Sequence, residues 1–149
     1  MPDDDSSVLF DVFTEIGIIE QLSRAYLEAR LPAGLIAPHF TVLNHLTRVA
    51  DGRTPIDMAR AFQVPKTSMT HTLKGLLAHG LIEIRPNPED GRSKTVWLTD
   101  AGRTLRAQVI AVLMVDFKKL MADFDLGPLQ QAKPVLTELR KHLDAARDT

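Results

Sequence analysis

Residues 54–86 read TPIDMARAFQVPKTSMTHTLKGLLAHGLIEIRP, and the fold is decided there. Thr54, Pro55 and Asp57 combine a capping hydroxyl, a proline at the first helical position and an acid in the first turn. A short helix through Ala61 is predicted. Gln63 and Val64 turn the chain, Pro65 opens a second helix through about His79, and Gly80 stops it. Two short helices joined by a few residues make a helix-turn-helix. Leu81–Arg85 then alternates as a strand, Pro86 to Gly91 is a turn-rich loop, and Thr95–Leu98 is β-branched and aromatic. A hairpin directly after a helix-turn-helix is a wing, expected over about residues 82–98.

On a wheel of 100° per residue, Met69, Leu73, Leu76 and Leu77 share one face of the 65–79 helix. Thr67, Ser68, His71, Lys74 and Gly75 fall opposite. Hydroxyls, a histidine, a lysine and a small residue that allows close approach suit phosphates and base edges in a major groove. The candidate contacts on this element are Pro65, Lys66, Thr67, Ser68, Thr70, His71 and Lys74. The hairpin tip adds Asp90, Arg92, Ser93 and Lys94, where an arginine can enter a narrow minor groove while the aspartate holds its guanidinium. Taken singly, either feature would equally suit a solvated surface.

Working outward, Leu9, Phe13, Ile16, Ile19, Leu22, Tyr26 and Leu27 recur at helical spacing, predicting a helix from about Val8 to Arg30 after an acidic tail (Asp3, Asp4, Asp5). Pro38 stands near the start of a second helix bearing Phe40, Val42, Leu43, Leu46 and Val49. Thr99 and Asp100 cap a long helix from Ala101 to about Phe124, and Gly127 with Pro128 starts a last one reaching Ala146, with a kink or reset expected at Pro134. The expected fold is mainly α with a small β-hairpin wing. It forms a single domain over 1–149, in which flanking helices (8–31 and 101–146) bracket a winged helix-turn-helix at 35–100.

The 149 residues are 44% hydrophobic and 25% charged, ordinary for a globular chain. The absence of cysteine removes disulfides, thiolate metal sites and thiol chemistry, and fits a cytoplasmic location. No apolar run approaches the ~20 residues of a membrane span, and the acidic start is unlike a signal peptide. The net charge of -1 hides a division. Residues 1–52 carry three Arg against eight acids, whereas 53–106 carry nine Lys and Arg against five. Basic charge is thus concentrated on the helix-turn-helix and wing, as phosphate contact requires. His39, His45, His71, His79 and His142 show no metal-ligand spacing, so neither metal nor cofactor is expected. Gly-rich phosphate loops, nucleophile elbows and His-Glu metal motifs are missing, which argues against an enzyme.

The chain resembles the MarR family of bacterial regulators in Phe40, Val42 and Leu43, in residues 54–86, and above all in DGRSKTVWLTDAG at 90–102. That last stretch is similar to the family's wing signature, an Asp and an Arg two residues on, then Leu-Thr and a Gly. The resemblance implies a sequence-specific DNA-binding transcriptional regulator. It would be a repressor that binds a palindromic operator as a homodimer through its terminal helices. Arg92 would reach the minor groove and Asp90 would orient it. The resemblance also implies release by a small aromatic or lipophilic effector between the dimer helices and the winged helix, for which Tyr26, His39, Phe40 and Leu43 are the candidates. The chain departs from the family where arginine is common, with His71 and Gly75 in its place. Fewer phosphate contacts are expected, with binding that strengthens toward about pH 6 as a protonated His71 gains a donor and a charge. The alternative is a winged helix used for protein interaction or as an antirepressor.

Overall fold

In a computed structural model, which describes residues 4–147, the elements run α1 (Asp4–Glu28), α2 (Ala37–Arg48), α3 (Pro55–Phe62), α4 (Lys66–Ala78), β1 (Ile82–Pro86), β2 (Lys94–Leu98), α5 (Asp100–Leu120) and α6 (Gly127–Ala146). The expected architecture is present, a helical protein with one antiparallel hairpin. Asp3 of the acidic run lies outside the described residues. The chain divides between Leu113 and Met114, within α5, into two compact units.

The core belongs to the first unit. Val42, Leu43 and Leu46 of α2, Met58 and Ala59 of α3, and Met69, Leu73 and Leu76 of α4 close on Leu81, Ile82, Val96 and Leu98 from the hairpin. Helices α3 and α5 are each started by a threonine cap. Thr54 Oγ1 accepts the Asp57 amide at 3.2 Å. Thr99 Oγ1 accepts the Gly102 amide at 3.1 Å and donates to the Gly80 carbonyl at 2.7 Å, which ties the entry of α5 to the exit of α4. A side chain at residue 102 would overlap the Leu81 carbonyl, so glycine is needed for that close approach.

The hairpin pairs Ile82 with Leu98 through to Pro86 with Lys94. The loop before α3 meets the outer edge of β2 through an isolated bridge between Arg53 and Val96, in which Gly52 donates to the Val96 carbonyl and Val96 to that of Arg53, both at 2.9 Å.

Several boundaries differ from the sequence reading for physical reasons. Helix α1 begins a turn earlier than Val8, because Asp4 and Asp5 suit the positive end of a helix as well as they suit a tail. Pro86, expected in the loop, ends β1, where a residue without an amide proton is tolerated at the edge. Pro65 stands one place before α4 as its N-cap. Helix α5 stops at Leu120 rather than Phe124, with Lys118 and Lys119 at its negative end. Helix α6 runs through Pro134 without interruption. Val49 is the C-cap of α2 and is exposed, and Leu77 is exposed rather than part of the α4 core face.

Candidate nucleic-acid interface

Helix α4 is built to keep one face wet. Met69, Leu73 and Leu76 are buried, while Lys66, Thr67, Ser68, Thr70, His71 and Lys74 are all exposed, as is Pro65 at the cap. Its first turn holds Lys66 and no acid, and no side chain caps it. A cation at the positive end of a helix opposes the macrodipole, so Lys66 adds nothing to the stability of α4 through the dipole. Thr70 Oγ1 donates back to the Lys66 carbonyl at 3.0 Å, leaving its lone pairs and methyl free to face a partner.

Gly75 corrects the sequence reading. It does not open the wet face to a phosphate; it lets α4 approach α2, since a Cβ there would come within 2.5 Å of His39 Nε2. His39 is buried, and its Nδ1 accepts the Ile36 amide at 2.9 Å ahead of α2. Burial first, then the neighbouring His79, hold its pKa below the ordinary 6.5, against the hydrogen bond from Ile36, with His71 adding a little to the lowering. His79 in turn faces the Gly75 carbonyl at 2.9 Å and the Ala33 carbonyl at 3.3 Å. Histidines dispersed in the sequence thus meet across the α2–α4 contact, a grouping without any signature in residue spacing.

At the wing tip, Asp90 Oδ1 accepts the Arg92 amide at 3.0 Å and lies 3.7 Å from the guanidinium. The Arg92 side chain is nevertheless 96% exposed, so the cation is held out into solvent instead of lying on the protein. Asn87 donates to Ser93 Oγ at 2.8 Å and the Ser93 amide donates to the Asp90 carbonyl at 3.1 Å, closing the turn beneath it. Lys94 is exposed at the start of β2.

A MarR family model matches residues 33–93, from the loop before α2 to the wing tip. Over those residues the chain is similar to the MarR family. Solved structures similar to the chain over most of its length include MarR itself and other transcriptional regulators. Wild-type apo MarR from E. coli is 25% identical, with 85% of this chain and 94% of that one covered and a TM-score of 0.72. A cysteine-to-serine mutant of E. coli MarR complexed with operator DNA is 24% identical, covering 92% and 99%, at 0.71. The regulator BldR from Sulfolobus solfataricus shares the fold at 21% identity, covering 97% and 99%, at 0.74.

In this MarR-type winged helix the effector candidates fall in different settings. His39 and Leu43 are buried, Phe40 is half-buried, and Tyr26 is exposed on α1. None of them lines the cleft of about 290 Å³ that opens between α1, α2 and the helix-turn-helix. Its walls are Ala37, Pro38, Phe62, Val64 and Met69, with Arg24, Glu20, Thr41, Ser68 and Thr72 as polar members. No helix among the described residues is long and apolar enough to cross a membrane.

Proposed function

We propose that the chain is a homodimeric, sequence-specific repressor that reads a palindromic operator, with α4 in the major groove and Arg92 in the flanking minor groove. One observation carries the reading. Arg92 is oriented by Asp90 and yet almost wholly exposed beyond the paired strands, on the same module as an uncapped helix start bearing Lys66. A fixed, outward cation is costly to order and finds its compensation in an anionic partner.

Support for the homodimer comes from the apolar character of exposed α1, where Leu9, Phe13, Ile16 and Ile19 lie in water. Helix α6 likewise has no buried residue and exposes Leu129, Val135, Leu136 and Leu143. Exposed apolar surface on this scale marks an interface. Release by a small aromatic or lipophilic molecule is assigned to the α1–α2–α4 cleft, because Ser68, Met69 and Thr72 there belong to the helix that would enter the groove.

The test is fluorescence anisotropy on the DNA flanking the chain's own gene, with random DNA as competitor. The expected result is specific binding by wild type and a ~10-fold or greater loss in Arg92→Ala, about the contribution of one charge-assisted contact. Absence of any preference over random DNA would replace this reading with a protein-interaction module.

A further inference from the structure

Beneath the wing lies a set of contacts that the DNA-facing residues do not use. Asp51 lies within the loop between α2 and α3, and its Oδ1 accepts the Leu98 amide at 3.0 Å as well as the Gly52 amide at 3.1 Å. Its Oδ2 accepts from Arg103 Nη2 of α5 at 3.1 Å. Arg103 Nη1 reaches the Leu98 carbonyl at 3.4 Å and stands 3.6 Å from Asp100. Both main-chain polar groups of Leu98 are therefore claimed by one ion pair.

The edge of β2 that turns away from β1 shows what this does. At Val96 that edge pairs with the main chain of Gly52 and Arg53. Two residues on, at Leu98, no strand is left, and the Asp51 carboxylate takes the place of the next carbonyl in the ladder. Between these two points Trp97 packs on Gly52, whose φ of 75° and close contact with the ring exclude a side chain. Arg85 covers the same ring at 4.5 Å from its centroid and is itself ion-paired with Glu83. The wing root is thus fastened to the α2–α3 loop on one edge and to α5 by the arginine.

We propose that Asp51 and Arg103 form a latch that fixes the cant of the wing, making them positioning residues for Arg92. Strands rise about 3.3 Å per residue, so the tip stands roughly 15 Å or more from the root, and a tilt of about 10° there displaces Arg92 by about 3 Å. That is the width of a hydrogen bond, enough to take the guanidinium off its groove. The effect on DNA rests on the function proposed above; the latch itself does not.

The chain contains no cysteine, so two spin labels can be placed without background. Labels at Ile56→Cys on α3 and Glu89→Cys on the wing, both exposed positions, report the wing's cant as a distance distribution. Arg103→Ala and Asp51→Asn are expected to broaden that distribution or shift it by about 3 Å or more, with Arg103→Lys restoring part of the wild-type profile. Unchanged distributions in both Arg103→Ala and Asp51→Asn would overturn the proposal. On operator DNA, Arg103→Ala should weaken binding by about tenfold in the wild-type background and less than twofold in Arg92→Ala. Equal losses in the two backgrounds would show a direct phosphate contact or a general loss of fold, and would equally overturn it. If wild type shows no preference over random DNA, the DNA reading fails, and the spin-label distances still decide the latch.

Discussion

Helices α1 and α4 carry the same kind of sequence signal and come to opposite ends. In α4, thirteen residues bury Met69, Leu73 and Leu76 against α2, α3 and the hairpin. In α1, twenty-five residues bury none, although Val8, Leu9, Phe10, Phe13, Ile16, Ile18, Ile19 and Leu22 are all large and apolar. Periodicity states that a face needs cover and is silent on what supplies it. Helix α4 finds its cover within the chain, whereas α1 has apolar groups around more of its circumference than one α2 contact could shield.

The comparison is tested most severely by matched truncations. Leu76→Ala removes a side chain that is 0% exposed and is expected to cost about 3 kcal/mol, read as a fall in the urea midpoint at constant slope. Leu22→Ala in α1, at a side chain 61% exposed, should change the unfolding of a dilute sample by about 0.5 kcal/mol or less. It should instead weaken the concentration dependence of stability that a dimer confers. Similar losses in both variants at high dilution would show that α1 is covered within the single chain.

A smaller effect is expected from pH. His39 and His45 both have pKa values lowered from 6.5, in each case by burial first. His45 stands edge-on to Phe62 at 5.0 Å, with the cations of Arg53 and then Arg48 as further causes. The fold binds the neutral rings, and the unfolded chain takes up protons earlier as pH falls. The stabilisation is therefore complete above about 6.5 and drains away below it. The urea midpoint should fall between about pH 7.5 and about pH 5, and His39→Gln with His45→Gln should flatten that fall. An unchanged slope in the double variant would assign the acid sensitivity to carboxylates.

The smallest effect concerns the turn of the helix-turn-helix. Gln63 is the sole non-glycine with positive φ among the described residues, at 58°. Gln63→Gly should stabilise by roughly 0.5–1 kcal/mol if relief of the left-handed strain outweighs the added freedom of the unfolded chain. A loss on thermal unfolding would show that it does not.

What was legible in the sequence was local. The Thr54 cap, the Pro128 start and the Asp90–Arg92 tip each form within a few residues, so spacing alone finds them. What was not legible joins distant segments. Gly75 reads as an opening toward DNA on a wheel, yet His39 lies against it from thirty-six positions away. Asp51 and Arg103, fifty-two positions apart, read as a loop acid and a helix cation until β2 lies between them. Leu77 borders the apolar sector, where 100° steps do not decide between core and water.

Trp97 is the only tryptophan of the chain, and it is set in the wing root between Gly52 and the Arg85 guanidinium. The protein therefore has its own optical gauge at the joint between the wing and the helices beneath it. Indole emission responds to a neighbouring charge and to water, so a change in wing posture, such as loss of the latch would bring, registers as a shift of colour in unlabelled protein.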